Sequence, residues 1–243
     1  MNNQRNFGLI GKDISYSFSK RYFEEKFRKL FLDNYRYQLY DLDSIEEIVT
    51  LITKEELNGF NVTIPYKEKI IPYLSELSDE AREIRAVNTV AVKNGQLIGF
   101  NTDTFGFEQT LNIVGRAHHD KALILGNGGA AKAVQYVLNQ KGIPYQIVSR
   151  KAELNFDTIT PELVKEHPLI IQCTPVGTFP QIDSVLPFPF EALGAEHLVI
   201  DLIYNPTYTE FIQRASKQDA KCVNGYFMLE QQAEKAWKIW EGL

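Results

Sequence analysis

The stretch "ALILGNGGAAKAVQYVLNQKGIPYQIVSR", residues 122–150, constrains the fold most. A wholly apolar segment enters a glycine turn, then an amphipathic segment closed by Gly142, then a second apolar segment. That is the order and length of one strand–helix–strand crossover, which requires parallel strands and places a helix on the face of their sheet. Apolar runs at "LIIQCTP" and "LVIDLIY" continue the alternation and predict a doubly wound, Rossmann-like parallel sheet.

The turn reads Gly126-Asn127-Gly128-Gly129-Ala130-Ala131, a G-x-G-x-x-A pattern set between strand and helix. In that pattern Gly126 permits the tight turn, Gly128 lets a pyrophosphate approach the backbone, and small Ala131 lets the helix lie close to the strand. The helix start supplies free N–H groups and the positive end of a dipole. With these flanks, dinucleotide binding is favoured over a turn that is merely tight, and the missing Gly-Lys-Ser/Thr excludes a P-loop. The second strand ends in "YQIVSRK". An NAD-binding chain would place Asp or Glu there for the ribose hydroxyls. Ser149, Arg150 and Lys151 instead offer a hydroxyl and two cations to a 2′-phosphate, so NADP is favoured over basic residues left idle in solvent.

The preceding residues read differently. "NFGLIG", "YRYQLYDL" and "LNGFNVTIP" are strands, and "SFSKRYFEEKFRKLF" carries Tyr22, Phe23, Phe27, Leu30 and Phe31 at helical spacing. Ser44 and Glu47 form a capping-box pattern opening the helix "IEEIVTLITKEE". "EKIIPYLSELSDEAREIRA" reads as helical, and Asn94-Gly95 marks a type I′ hairpin. The expectation is an α/β chain of two domains. Residues 1–103, completed by the C-terminal helix 225–243, form one with a mixed sheet, and residues 104–224 form the nucleotide domain. In the last helix Phe227, Ala233, Ala236, Trp237 and Trp240 are available for packing.

A net charge of −5 excludes a non-specific nucleic-acid surface, so an anionic ligand must be caught by a few local cations. No segment has signal-peptide or membrane-span character, and the expected location is cytoplasmic. Cys173 and Cys222 read as reduced, buried thiols without metal-ligand spacing, and His118 and His119 as a solvated connection. Lys67, just past a strand and a proline, reads by itself as a solvated lysine near a turn.

Taken in order, "ISYSFS", "NVTIPYK", "AVNT", "GFNTD", "CTPVG", "DLIYNPTYT" and "GYFMLEQQA" resemble the motifs of the shikimate dehydrogenase family from Gly11 to about Ala233. The resemblance implies NADP-dependent interconversion of 3-dehydroshikimate and shikimate without a metal, by a monomer or homodimer. It implies a catalytic Lys67 and Asp103, and substrate contacts from Ser17, Ser19, Thr63, Asn88, Tyr204 and Gln232. Near the nicotinamide it implies Thr174, Gly225 and Met228. The chain departs from the family pattern at Asp13, Tyr16 and Lys20 around the serines, and at Gln172 and Thr178 around "CTPVG". Two other readings remain open: a quinate/shikimate dehydrogenase of relaxed cofactor use, and a non-catalytic NADP-binding regulatory protein.

Overall fold

The computed structural model describes residues 4–15, 17–150 and 152–242. Lys151 and Tyr16 lie outside the described residues. Contacts divide the chain into two compact units, residues 1–102 with 233–243, and residues 103–232.

The first unit contains β1 (Arg5–Gly11), α1 (Ser19–Lys29), β2 (Tyr35–Asp41), α2 (Ile48–Lys54), β3 (Leu57–Val62), β4 (Glu76–Leu77), α3 (Asp79–Ile84), β5 (Thr89–Lys93) and β6 (Gln96–Phe100). Its sheet is mixed, in the order β2-β1-β3-β5-β6-β4. β1 pairs parallel with β2 and β3, whereas β5 pairs antiparallel with β3 and β6. Asn94 and Gly95, at φ 51° and 77°, make the hairpin that joins β5 to β6. One face packs Phe60, Val62, Ile70 and Val90, and the other packs Phe7, Phe23, Tyr37 and Trp240.

The second unit contains α4 (Asp103–Val114), β7 (Ala122–Leu125), α5 (Gly129–Gln140), β8 (Tyr145–Val148), α6 (Pro161–Lys165), β9 (Leu169–Gln172), β10 (Leu198–Asp201), α7 (Glu210–Ser216) and β11 (Lys221–Asn224). α8 (Tyr226–Gly242) begins in this unit, and from Ala233 onward it belongs to the first. The sheet is wholly parallel, in the order β11-β10-β9-β7-β8. Its direction of winding therefore reverses between β7 and β9, and ligands of such sheets bind beyond the carboxyl ends of the strands at that reversal. The glycine turn follows β7 and "CTPVG" begins directly after β9.

Several local expectations are corrected. Residues 68–86 are not one helix: Ile71–Tyr73 is a 3₁₀ turn, β4 pairs with β6, and Ser78 caps α3 by accepting from the Ala81 N–H at 3.2 Å. Pro72 and the cap break the helical run. Leu30 and Phe31 do not pack, because α1 ends at Lys29. Phe31 there turns left-handed at φ 56° and is 88% exposed. Leu32 donates back to the Phe27 carbonyl and packs in place of Leu30 and Phe31. His119 is buried rather than solvated, its Nδ1 accepting from the Arg116 N–H at 3.1 Å. Cys173 and Cys222 are free thiols, each partly exposed. No helix among the described residues is long and apolar enough to cross a membrane.

Candidate active site

The carboxyl ends of β1 and β3 bring the serine loop and the lysine loop of the first unit together over one glycine. A Cβ at Gly11 would lie 2.5 Å from both Ile14 Cγ2 and Thr63 Cγ2, so the two loops approach only because that position has none. The serine loop is held from β2, where the Asp41 carboxylate accepts from the Asp13 N–H at 2.9 Å and the Ile14 N–H at 3.3 Å. Asp13, at φ 55°, takes a left-handed conformation that Asp tolerates. Ser17 then accepts from the Ser19 N–H at 3.3 Å, and Ser19 opens α1.

Past β3, Thr63 donates its N–H to the Ile10 carbonyl, and Tyr66 donates its N–H to the Thr63 carbonyl at 2.8 Å. Tyr66 is buried and its hydroxyl donates to the Leu42 carbonyl at 2.6 Å, which anchors the residue beside Lys67. The Lys67 carbonyl accepts from the Val87 N–H at 2.7 Å, so its backbone is fixed on both sides while its side chain stays partly exposed. Asn88 is buried, with its Oδ1 accepting from the Thr102 N–H at 2.7 Å and its Nδ2 donating to Thr102 Oγ1 at 3.0 Å.

The second unit opens with Asp103, a buried carboxylate in the first turn of α4, where the helix dipole favours negative charge. A Cβ on Gly106 would meet the Met228 carbonyl at 2.6 Å and Gln232 Cβ at 3.2 Å, so α4 and α8 cross there, one turn from Asp103. Met228 itself packs in the core with Phe107 and Leu111.

At the sheet's reversal, Gly126 has φ +112° and lies against the next loop, its would-be Cβ 3.0 Å from Thr174 Cγ2. Gln172, fully buried, accepts from the Thr174 N–H and donates to the Val176 carbonyl at 3.3 Å, so it folds the loop beyond β9 from within. Around Gly128 the space is open, with nothing within 4 Å of the point a Cβ would occupy, and no side chain caps α5. Asn127 accepts from Gln135 at 3.3 Å, and Ala131 is buried against the strand. A bare helix start beside open space fits a pyrophosphate, whose charge those N–H groups would neutralise. Gly129 and Ala130 begin the helix. Ser149 and exposed Arg150 follow β8, and the Ser149 carbonyl accepts from the Ala152 N–H at 3.1 Å.

Tyr204 stands on a loop tied at both ends by Asp201. Its Oδ1 accepts from the Ile203 N–H at 3.0 Å and its Oδ2 from the Thr209 hydroxyl at 2.6 Å. Burial pushes this carboxyl up to about 6, against the pull of those two donors. Gly225 presses on the same loop, since a Cβ there would lie 2.0 Å from the Leu202 carbonyl oxygen. Burial also raises the Cys173 thiol, which argues against a nucleophilic role. No cluster of three or more metal-ligating side chains occurs among the described residues.

Sequence reasoning missed Gly11, Tyr37, Asn61, Thr102 and Asp201, all buried. Asn61 and Asp201 carried a signal: each is a polar residue at a buried position of a largely apolar strand.

The model for the shikimate dehydrogenase substrate binding domain matches residues 9–90. A shikimate dehydrogenase (NADP(+)) of Desulforamulus reducens is 34% identical over 97% of this chain and 89% of its own length. One of Caldicellulosiruptor saccharolyticus is 37% identical over 96% and 90%. The solved Thermus thermophilus shikimate 5-dehydrogenase in complex with NADP(H) and shikimate covers 99% of this chain and 94% of its own at 30% identity, with a TM-score of 0.88. The Listeria monocytogenes shikimate 5-dehydrogenase, in complex with shikimate and NAD, superimposes with a TM-score of 0.85 at 27% identity over 100% and 93%. On near full-length relatedness to these proteins, the chain belongs to the shikimate dehydrogenase family.

Proposed function

We propose that this chain catalyses the NADP-linked interconversion of shikimate and 3-dehydroshikimate. The observation that carries this is the open, uncapped glycine turn at the sheet's reversal, found in a chain related along nearly its whole length to proteins named shikimate dehydrogenase (NADP(+)). The nicotinamide, when bound, supplies or accepts the hydride. The chain's own residues hold the substrate and handle one proton. Ser17, Ser19 and Tyr204 are suited to the substrate carboxylate; Thr63, Asn88 and Gln232 are suited to its hydroxyls. Lys67 exchanges the proton of the reacting hydroxyl in both directions, and Asp103 completes the catalytic pair. Gly126, Asn127, Gly128, Gly129 and Ala130 receive the pyrophosphate, and Ser149, Arg150 and Lys151 the 2′-phosphate. Thr174 and the segment at Gly225 and Met228 shape the nicotinamide end. The test is to follow reduced cofactor on adding shikimate, then quinate, with NADP and NAD in turn. Shikimate with NADP should be the fastest pair. Faster turnover of quinate would replace the substrate assignment, and no turnover with any pair would favour a regulatory NADP-binding protein.

A further inference from the structure

Beneath the candidate substrate residues of the first unit runs a buried chain of polar side chains, contributed by separate segments of the sequence. Tyr37 on β2 donates its hydroxyl to Asn61 Oδ1 at 2.8 Å. Asn61 on β3 donates its amide nitrogen to the Asn88 carbonyl at 3.2 Å and to Thr89 Oγ1 at 3.0 Å. Thr89 Oγ1 reaches Asn88 Oδ1 at 3.3 Å and Thr102 Oγ1 at 3.2 Å, and Asn88 holds both the backbone and the hydroxyl of Thr102. Tyr37, Asn61, Asn88, Thr89 and Thr102 are each at most 5% exposed.

Counting protons fixes the direction of this chain. The Asn88 carbonyl oxygen only accepts, so the Asn61 amide must turn its nitrogen toward it and its oxygen toward Tyr37. A flipped amide would set two acceptors against each other at 3.2 Å. Tyr37 must therefore be the donor to Asn61. Its one proton is committed to Asn61. Burial raises the Tyr37 phenol well above its ordinary value, so it holds that proton throughout the range in which enzymes work.

We propose that Tyr37 and Asn61 are positioning residues, which set the placement of Asn88 and Thr102 from below without contacting the substrate. Thr102 immediately precedes Asp103, so the same chain also fixes the backbone that leads into that carboxylate. The proposal rests on the reading of the chain as a shikimate dehydrogenase, and its test separates the two. Wild-type turnover of shikimate with NADP is measured first, and its absence would sink the enzyme reading. Tyr37→Phe and Asn61→Asp are then compared with the wild type by both Michaelis constants, kcat and thermal melting. Tyr37→Phe removes one hydroxyl at nearly constant shape. It should raise KM for shikimate about tenfold, the effect of losing one oriented hydrogen bond, with kcat within about threefold and KM for NADP unchanged. Asn61→Asp keeps the acceptor for Tyr37 but sets an acceptor against the Asn88 carbonyl, and should cost about tenfold more in kcat/KM for shikimate. If Asn61→Asp does not fold, Tyr37→Phe alone carries the test. An active wild type with unchanged KM for shikimate in the folded variants would overturn the proposal, as would equal rises in the two Michaelis constants.

Discussion

The two sheets place their polar groups in opposite ways. In the parallel sheet β7 is buried along its whole length and wholly apolar, the glycine turn and the uncapped helix start offer backbone alone, and the buried side chains of Gln172 on β9 and Asp201 on β10 fold the loops beyond them. The mixed-sheet unit carries Asn61 and Thr89 in its strands and Asn88 just before β5, all three buried. Those side chains need partners. No buried side-chain nitrogen or oxygen among the described residues lacks one. Positive φ values are also unevenly distributed. Asp13, Phe31, Glu56, Arg85 and Asn94 take positive φ in the first unit, against Asp219 in the second, which places glycines 126, 142 and 177 at such positions. Of these, Phe31, Glu56 and Arg85 lie at helix ends and Asn94 in the β5–β6 hairpin, so only Asp13 stands in a candidate substrate loop.

The largest expected effect is in the mixed-sheet unit. Lys67→Ala should lower turnover by about 10²–10⁴-fold, the usual reach of general acid–base catalysis, with NADP affinity by calorimetry nearly intact. Retained turnover with weakened shikimate binding would make the lysine a clamp and leave the proton transfer unassigned.

In the parallel-sheet unit the corresponding weak point is Asp201, whose carboxyl burial lifts from 3.8 to about 6. The folded chain therefore holds this proton more tightly than the unfolded chain does. The resulting stability is fully present below the ordinary value and is lost as pH rises through about 6. That loss is on the order of 3 kcal/mol, at about 1.4 kcal/mol per pH unit. Denaturant unfolding of Asp201→Asn between about pH 4 and pH 7 should lack this slope, while its kcat/KM falls because the Tyr204 loop loses the bond from Thr209. Identical slopes in parent and variant would show that Asp201 does not titrate in this range.

Next comes cofactor choice. Arg150→Ala should raise KM for NADP by roughly tenfold or more relative to NAD, since a charge-assisted contact is worth about 1.5–3 kcal/mol. Equal effects on both cofactors would remove the 2′-phosphate role. Smallest is Phe31→Gly, where an exposed side chain sits in left-handed backbone at φ 56°. Relief of about 1–2 kcal/mol of strain, less glycine's greater unfolded freedom, should leave the variant about 0.5–1 kcal/mol more stable, read as a raised melting temperature.

This division also explains what sequence could reveal. Gly126, Gly128 and the Asn94-Gly95 turn are local devices, each written in consecutive residues, and the crossover pattern carried the parallel sheet with it. β11 and α7 escaped because "KCVN" and "EFIQRAS" are too short for their periodicity to stand out. Residues 68–86 misled because helical spacing continued across Pro72 and Ser78, while the pairing of β4 with β6 joins residues distant in sequence. Tyr37, Asn61 and Thr102 meet only after β2, β3 and β6 assemble, so no spacing along the chain announces them.

The division of labour itself is tested most directly by measuring both Michaelis constants for one substitution in each unit. Gly128→Ala places a methyl in open space at an unstrained φ of −89°, so the fold should be untouched. KM for NADP should rise about tenfold or more, the cost of denying the pyrophosphate one charge-assisted backbone contact, and KM for shikimate should not change. Ser17→Ala should do the reverse, raising KM for shikimate about tenfold with NADP unaffected. If instead Gly128→Ala leaves KM for NADP at its parent value, or each substitution raises both constants together, backbone and side-chain recognition are not separated between the two units and the account fails.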